Sequence, residues 1–246
     1  MLKKIFKILF AVAAIGYALF AFAIVPNLGN DGKCKGVLVE ITDNSLDAIS
    51  RKDIIDILVG EELDPSGKPM EEVLCRDIES LINNISLVKE CQVYKSTGDY
   101  VMIEICCRKP IMKIFDKNGE AYCIDKDGNI IHGIQNALFL PVASGFIDKE
   151  IASKEIKDIA VAIDRSNFWK AQIEQLYLNE KKEAILVPRV GNHTIELGTA
   201  DDIEAKLEKL STFYKKALNG IGWNKYSKIN IEFTDKVICT KREKQK

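Results

Sequence analysis

Residues 88–107, VKECQVYKSTGDYVMIEICC, contain two strands that decide the fold of the first half of the chain. The strands run from Val88 to Lys95 and from Tyr100 to Cys107, and residues 96–99 (STGD) form the turn between them. In the second strand, apolar residues at 101, 103, 105 and 107 alternate with other side chains, so they share one face. Cys106 and Cys107 are adjacent and therefore point to opposite faces. We predict an antiparallel hairpin with one buried face.

The segments before this hairpin predict one further strand and two helices. Residues 37–41 (VLVEI) have the composition of a strand, and residues 50–53 (SRKD) are a polar start for a short amphipathic helix. A second helix follows a loop with Pro65, Gly67 and Pro69. Its apolar positions recur at helical spacing: Leu74, Ile78, Leu81, Ile82 and Ile85. The order βααββ predicts a small layer with both helices on one face of a three-stranded sheet.

An uncharged run at residues 8–25, ILFAVAAIGYALFAFAIV, follows Lys3, Lys4 and Lys7. At about 1.5 Å per residue a helix of this length spans roughly 27 Å, close to the hydrocarbon thickness of a bilayer. Basic residues before such a span favour a cytoplasmic N-terminus. We predict cytoplasmic residues 1–7, a transmembrane helix at 8–25 and the remainder outside the cytoplasm. A cleaved signal peptide is the alternative, because residues 21–23 (AFA) match a small-residue cleavage site.

The pattern changes after Pro110 to short strands separated by turn dipeptides. Strands are predicted at 111–115 and 121–124 around Asn118-Gly119, and at 130–131 after Asp127-Gly128. A helix is expected at 152–165, and a second after the capping segment 199–202 (TADD). Further strands are predicted at 171–178, 184–188, 194–197, 228–233 and 237–240. The fold class is therefore α+β, with a βααββ layer followed by a strand-rich domain with two helices.

Composition bounds the class of partner. Without Lys3, Lys4 and Lys7, 32 of the 35 basic residues remain against 36 acidic residues, a net charge of −4. A nucleic-acid-binding surface would be expected to show a basic excess. The sequence therefore predicts no nucleic-acid partner.

Candidate groups for catalysis are sparse. The two histidines, His132 and His193, lack acidic or cysteine neighbours at ligand spacing, and residues 125–129 (DKDGN) place glycine at the wrong position for a calcium loop. We predict no catalytic, cofactor-binding or metal-binding residues. The seven cysteines are expected to be buried thiols, with one or two disulfides as the alternative. An enzyme using Cys106 or Cys107 would need a group that activates the thiolate, and the sequence offers no histidine nearby.

The last strand is the candidate binding surface. Residues 237–240 (VICT) end the fold and are followed by a short basic tail. A terminal strand at a sheet edge leaves backbone groups that can pair with a strand from another protein. An interior position for this strand, or an edge blunted by Lys236, Lys241 and Arg242, is the alternative. Proline at Ile238 or Thr240 should abolish such pairing if the N–H groups there face outward.

Six segments follow the apolar run in a characteristic order: 37–41 (VLVEI), 87–93 (LVKECQV), 103–110 (IEICCRKP), 119–128 (GEAYCIDKDG), 195–198 (IELG) with 206–207 (KL), and 226–233 (YSKINIEF). In this order the segments resemble the FtsQ/DivIB family of bacterial cell-division proteins. The chain departs from the family at Cys91, where alanine is usual, and at Cys107, where an acidic residue is usual. It departs again after Phe233, where Asp235 and Lys236 replace the small residues of the family's turn.

This resemblance implies a POTRA domain at 34–108, a β domain at 109–241 and a basic tail at 242–246. It implies a non-enzymatic divisome scaffold, single-pass in the inner membrane with its bulk in the periplasm and enriched at the division septum. FtsB and FtsL would bind the C-terminal strand. FtsK, FtsW, FtsI and other divisome proteins would bind the POTRA domain and the membrane span. An accessory of polypeptide transport or outer-membrane assembly is the alternative, since such proteins also carry POTRA domains. The partner-binding residues implied are Ile231, Glu232, Phe233, Thr234, Asp235, Lys236, Val237, Ile238, Cys239, Thr240 and Lys241.

Overall fold

A computed structural model describes Tyr17 and residues 32–44, 47–134, 139–233 and 235–243. These residues divide into two units, one around a three-stranded sheet and the other around a nine-stranded sheet. Most of the predicted transmembrane segment, 8–25, lies outside the described residues. Among the residues that are described, no helix has the length and apolarity needed to cross a bilayer.

The first unit has the predicted βααββ order. Its elements are β1 (Gly36–Thr42), α1 (Arg51–Gly60), α2 (Cys75–Asn83), β2 (Val88–Lys95) and β3 (Tyr100–Cys107). The strand order is β1-β3-β2, so the last strand lies in the centre of the sheet. Because each element buries one apolar side, this unit has a small core of its own, which includes Ile54, Leu58, Ile78, Ile82, Val101, Ile103 and Ile105.

Two details of this unit bear on the sequence predictions. Cys107 is buried and Cys106 is half-buried, as expected for adjacent residues on opposite faces of β3. All seven cysteines of the chain are free thiols, and four of them are buried as expected, whereas Cys75, Cys106 and Cys239 are half-buried. Leu74, however, is 61 % exposed. It precedes the first residue of α2, so it does not share the buried face that its spacing predicted.

The second unit contains nine strands and two long helical segments. The strands are β4 (Pro110–Phe115), β5 (Ala121–Asp125), β6 (Ile130–Ile131), β7 (Val142–Gly145), β8 (Ile173–Leu178), β9 (Ala184–Pro188), β10 (Thr194–Gly198), β11 (Tyr226–Asn230) and β12 (Ile238–Lys241). The first helical segment is α3 (Lys149–Ile151), which continues through a π turn (Ala152–Ile156) into α4 (Lys157–Asp164). A short helix, α5 (Asn167–Gln172), follows it. The second segment is α6 (Ile203–Phe213), which continues through another π turn (Tyr214–Leu218) into α7 (Asn219–Ile221).

The nine strands form one mixed sheet in the order β12-β11-β10-β9-β8-β7-β4-β5-β6. The pairs β4–β7, β7–β8 and β10–β11 are parallel, and the other neighbours are antiparallel. A parallel pair needs a crossover connection, and α6 with its π turn and α7 supplies the one between β10 and β11. The final hairpin is therefore attached to the sheet through β11.

One turn design recurs at three hairpins of this sheet. The side-chain oxygen of Asp116 accepts hydrogen bonds from the backbone N–H groups two and four residues later, at 2.8 Å each. Asp125 and Asn179 do the same in their own turns, at 2.8–2.9 Å. Such side chains satisfy turn N–H groups that the strands cannot pair. The turns therefore fix the register of β4–β5, β5–β6 and β8–β9.

The helices and the inner face of the sheet share a single apolar cluster. Helix α4 contacts both α6 and β4. All five residues of the predicted stripe along α6 and its π turn are buried: Ile203, Leu207, Leu210, Tyr214 and Leu218. Two elements were not predicted, namely β7 and α5. The strand predicted at 228–233 instead begins at Tyr226 and ends at Asn230. The start of the strand predicted at 171–178 is instead helical up to Gln172.

Candidate protein-binding edge

Strand β12 lies at one end of the nine-stranded sheet and pairs with β11 alone. The antiparallel register places Ile238 opposite Asn230 and Thr240 opposite Lys228. A bulge at Ser227 then shifts the register, so that Lys241 lies opposite Tyr226. The position of β12 leaves one side of its backbone without a neighbouring strand in the described part of the chain.

The direction of each backbone group on β12 follows from the neighbouring hydrogen bonds. The N–H of Ile231 donates to Glu196 O on the β10 side, at 2.9 Å, so alternate residues of β11, including Asn230 and Lys228, face β12. Consistently, Ser227 Oγ donates to Thr240 O at 3.4 Å. Ile238 and Thr240 therefore direct their N–H and C=O groups toward β11.

The outward backbone groups consequently belong to Cys239 and Lys241, because successive residues of a strand face opposite sides. The N–H of Arg242 supports this alternation, since it turns back to donate to Lys225 O at 3.0 Å. Proline at Ile238 or Thr240 is expected to abolish pairing with a partner only if the N–H groups there face outward, and in the structure they face β11. Proline there would remove an N–H that faces the chain's own sheet.

Side chains on β12 alternate between the core and solvent. Val237 and Cys239 are half-buried and pack against the apolar cluster of the second unit. Ile238 is 47 % exposed and Thr240 is exposed. The strand is therefore held by one face and presents an apolar and a hydroxyl side chain on the other.

The surface beside these exposed side chains is polar and ordered. Glu196 of β10 forms an ion pair with Lys228 Nζ at 3.1 Å and accepts a hydrogen bond from Asn230 Nδ2 at 3.1 Å. Lys228 and Asn230 are the residues opposite Thr240 and Ile238. Ile238 is consequently an isolated apolar group at the rim of a hydrogen-bonded polar face.

The connection from β11 to β12 is tied to the core at its start. Ile231 is fully buried, so its side chain belongs to the core and its backbone N–H to the bond with Glu196. Phe233 is 43 % exposed, and the Lys236 ammonium lies 4.8 Å from its ring centroid. Lys209 of α6 donates from Nζ to Ile231 O at 3.1 Å and also to Phe233 O.

The edge carries a small excess of positive charge. Lys225, Lys236, Lys241 and Arg242 are exposed around the hairpin, against the exposed acids Glu232, Asp235 and Glu243. The guanidinium of Arg242 also donates to Asn192 O. The charge of the edge suits a segment with acidic side chains.

The structure brings ten of the eleven residues implied by the family resemblance into this one hairpin, and Thr234 lies outside the described residues. It adds groups that the sequence reasoning missed: Lys209, the bulge at Ser227, and the anchoring bonds of Arg242. The backbone hydrogen bond from Arg242 to Lys225 could have been suspected, because Arg242 directly follows the last strand. Nothing in the spacing of Lys209 distinguishes it from a solvent-facing lysine.

Other chemistry-bearing groups are dispersed. Within the ranges that the structure describes, no three His, Cys, Asp or Glu side chains are grouped to hold a metal ion. His132 Nδ1 lies 3.8 Å from Glu120, and the buried His193 shares a 2.7 Å hydrogen bond with the Tyr214 hydroxyl. Burial raises the pKa of the Cys107 thiol, which disfavours the reactive thiolate.

Comparison with known proteins gives two matches. The family described as FtsQ/DivIB, C-terminal related, matches residues 109–240, which is more than half of the chain. A POTRA-like domain matches residues 32–106, the region of the βααββ layer. No curated protein matches the chain.

Proposed function

Because the chain belongs to the FtsQ/DivIB family, we propose that it is a non-enzymatic scaffold of the cell-division machinery that binds FtsB and FtsL through β12. The observation that carries this proposal is the side of β12 that has no neighbouring strand among the described residues, where Cys239 and Lys241 direct their backbone groups away from the sheet. A partner segment that adds a strand there would gain roughly 0.5–1.5 kcal/mol net for each backbone hydrogen bond.

The chemistry of the edge suggests what the partner strand carries. The basic residues around the hairpin favour acidic side chains on the partner, and opposite charges also speed association. Ile238 and Phe233 are exposed apolar groups that a partner can cover. The expected segment is therefore extended, acidic, and apolar at one or two alternate positions.

The remaining parts of the proposal concern the membrane and the first domain. We propose that residues 8–25 anchor the chain in the inner membrane, with residues 1–7 in the cytoplasm and the bulk in the periplasm at the division septum. The POTRA domain, at 34–108, together with the membrane span would contact FtsK, FtsW and FtsI. The β domain, at 109–241, would carry the FtsB and FtsL site.

Photo-crosslinking in growing cells tests the binding site. A photoreactive amino acid replaces Ile238 or Thr240, both of which present exposed side chains at the edge. The matched control is Tyr177, which is 42 % exposed on the central strand β8 of the same sheet. We expect FtsB to crosslink from positions 238 and 240 and not from 177. Equal crosslinking from all three positions would contradict the proposed site.

Depletion tests the process in which the chain acts. A divisome scaffold should give filamentous cells when its expression is stopped, with outer-membrane proteins at normal levels. Loss of outer-membrane proteins without filaments would instead support an accessory of transport or assembly and would refute the division role.

A further inference from the structure

Two lysines of α6 donate to backbone carbonyls of different connecting segments. Lys206 is buried and donates from Nζ to Thr199 O at 2.9 Å, in the connection between β10 and α6. Lys209, three residues later, donates to Ile231 O and Phe233 O, in the connection between β11 and β12. The two side chains are therefore alike in type and helix, but only Lys209 holds the segment that leads to the free edge.

Helix α6, which carries Lys209, is packed firmly against the core of the second unit. Leu207 and Leu210, its neighbours along α6, are buried in the core of the second unit. Burial, followed by the charge of Lys206, lowers the pKa of Lys209, as expected for an ammonium that has lost part of its hydration. This partly buried ammonium has lost some of its water, and the two carbonyls beyond β11 act as its acceptors.

Among the described residues of the segment held by Lys209, 231–233 and 235–237, few backbone hydrogen bonds join the segment to the sheet. It leaves β11 after Asn230 and returns at Ile238, and over this stretch Ile231 makes the backbone bond to β10. Glu232 N–H donates to the nearby side chain of Asn230. Fixing a connection before a partner arrives reduces the conformational entropy that binding must remove.

We propose that Lys209 is a positioning residue that fixes the β11–β12 connection and thereby keeps β12 ready to accept a partner strand. The effect on the backbone is a property of the chain alone, whereas the effect on binding rests on the function proposed above. Replacing Lys209 should leave the sheet formed while loosening the hairpin at its edge.

Hydrogen exchange on the full chain tests the first part. The variants are Lys209→Met, which keeps the apolar stem but not the donor, Lys209→Arg, which keeps a cation, and Lys206→Met as the matched control. In Lys209→Met, the hydrogen-bonded amides of residues 231, 232, 238 and 240 should exchange about tenfold faster than in the wild type, as expected for the loss of charge-assisted hydrogen bonds that hold the connection. Lys209→Arg should restore most of the protection, and Lys206→Met should leave these amides unchanged.

Equal exchange of these four amides in Lys209→Met and Lys206→Met would overturn the positioning role. If Lys209→Met does not fold, as judged by circular dichroism, Lys209→Gln is measured in its place against the same control.

Binding of the periplasmic segment of FtsB from the same organism tests the second part. Affinity should fall about three- to tenfold in Lys209→Met, with recovery in Lys209→Arg and little change in Lys206→Met. Loss of protection with unchanged affinity would refute the coupling of this connection to binding. A wild-type chain that does not bind the FtsB segment would refute the proposed function itself, and the exchange measurements would still decide the role of Lys209.

Discussion

Proline at position 239 should separate binding at the edge from folding of the edge. The N–H of Cys239 faces away from β11, so its removal leaves the bonds between β11 and β12 in place. Edge strands tolerate proline where the missing N–H would have faced solvent. The same substitution at Thr240 would remove an N–H directed at β11 and should loosen the hairpin itself.

The expected size of the effect follows from the single hydrogen bond that is lost. A partner carbonyl that docks opposite position 239 would be left without a donor, and the proline ring would occupy its place. We expect about 2 kcal/mol of lost binding free energy, or roughly a 30-fold higher Kd. Unfolding free energy should stay within about 1 kcal/mol of Cys239→Ala, because both variants lose the half-buried thiol.

Isothermal titration of the FtsB periplasmic segment with the two variants measures this difference. Cys239→Ala is the control, since it removes the thiol and keeps the backbone N–H. If folded Cys239→Pro binds within twofold of Cys239→Ala, a partner strand does not use the outward N–H, and the reasoning from register fails.

Three further predictions concern stability, each measured by urea unfolding. Ile229→Ala, which empties a fully buried site beside β12, should cost about 2–5 kcal/mol, and a loss below 1 kcal/mol would be inconsistent with that burial. Gly145→Ala should cost about 2 kcal/mol or more, because φ is +108° and an added Cβ would lie 2.2 Å from Leu178 O; an unchanged midpoint would refute this. Burial lowers the pKa of His193 in the folded chain, so the unfolded chain takes up a proton at a higher pH than the folded chain does. The free energy of unfolding should therefore be highest above about pH 6.5 and should fall as the pH drops below that value. His193→Gln should show a weaker dependence between pH 7.5 and 5.5, and an equal slope would contradict the assignment.

Regular elements with strong apolar periodicity could be predicted from the sequence. The alternation in β3 and the stripe along α6 each place apolar side chains on one face, and the structure buries them there. These elements are specified locally, since burial of one face requires that spacing.

Elements that depend on their neighbours could not be predicted. β7 has four residues without clear alternation, and its pairing with β4 and β8 is parallel, so distant segments determine it. α5 begins where Ser166 Oγ accepts a hydrogen bond from Trp169 N–H, which is a local helix cap. The sequence pattern instead predicted a strand from residue 171. For β7, tertiary context overrides a weak local signal, whereas for α5 the local signal was present in the Ser166 cap and was missed.

For the candidate binding edge, too, one feature could be predicted from the sequence and another could not. A terminal strand next to a basic tail indicated an edge, and the structure places β12 there. Which residues direct N–H groups outward depends on the pairing register, which places Ile238 opposite Asn230 and Thr240 opposite Lys228. A one-residue shift would exchange the two sides of the strand, so the sequence alone could not decide whether the N–H groups at 238 and 240 face outward.

The two ends of the large sheet are unequal, and this limits what can be built on it. Opposite β12 the sheet ends in β6, which has only two residues and offers too little backbone to template another strand. In the described part of the chain, the β6 end of the nine-stranded sheet is therefore too short to pair with the β12 edge of a second copy, so copies should not stack end to end through this sheet. Under the function proposed above, a partner strand is expected to join this sheet at the β12 end alone.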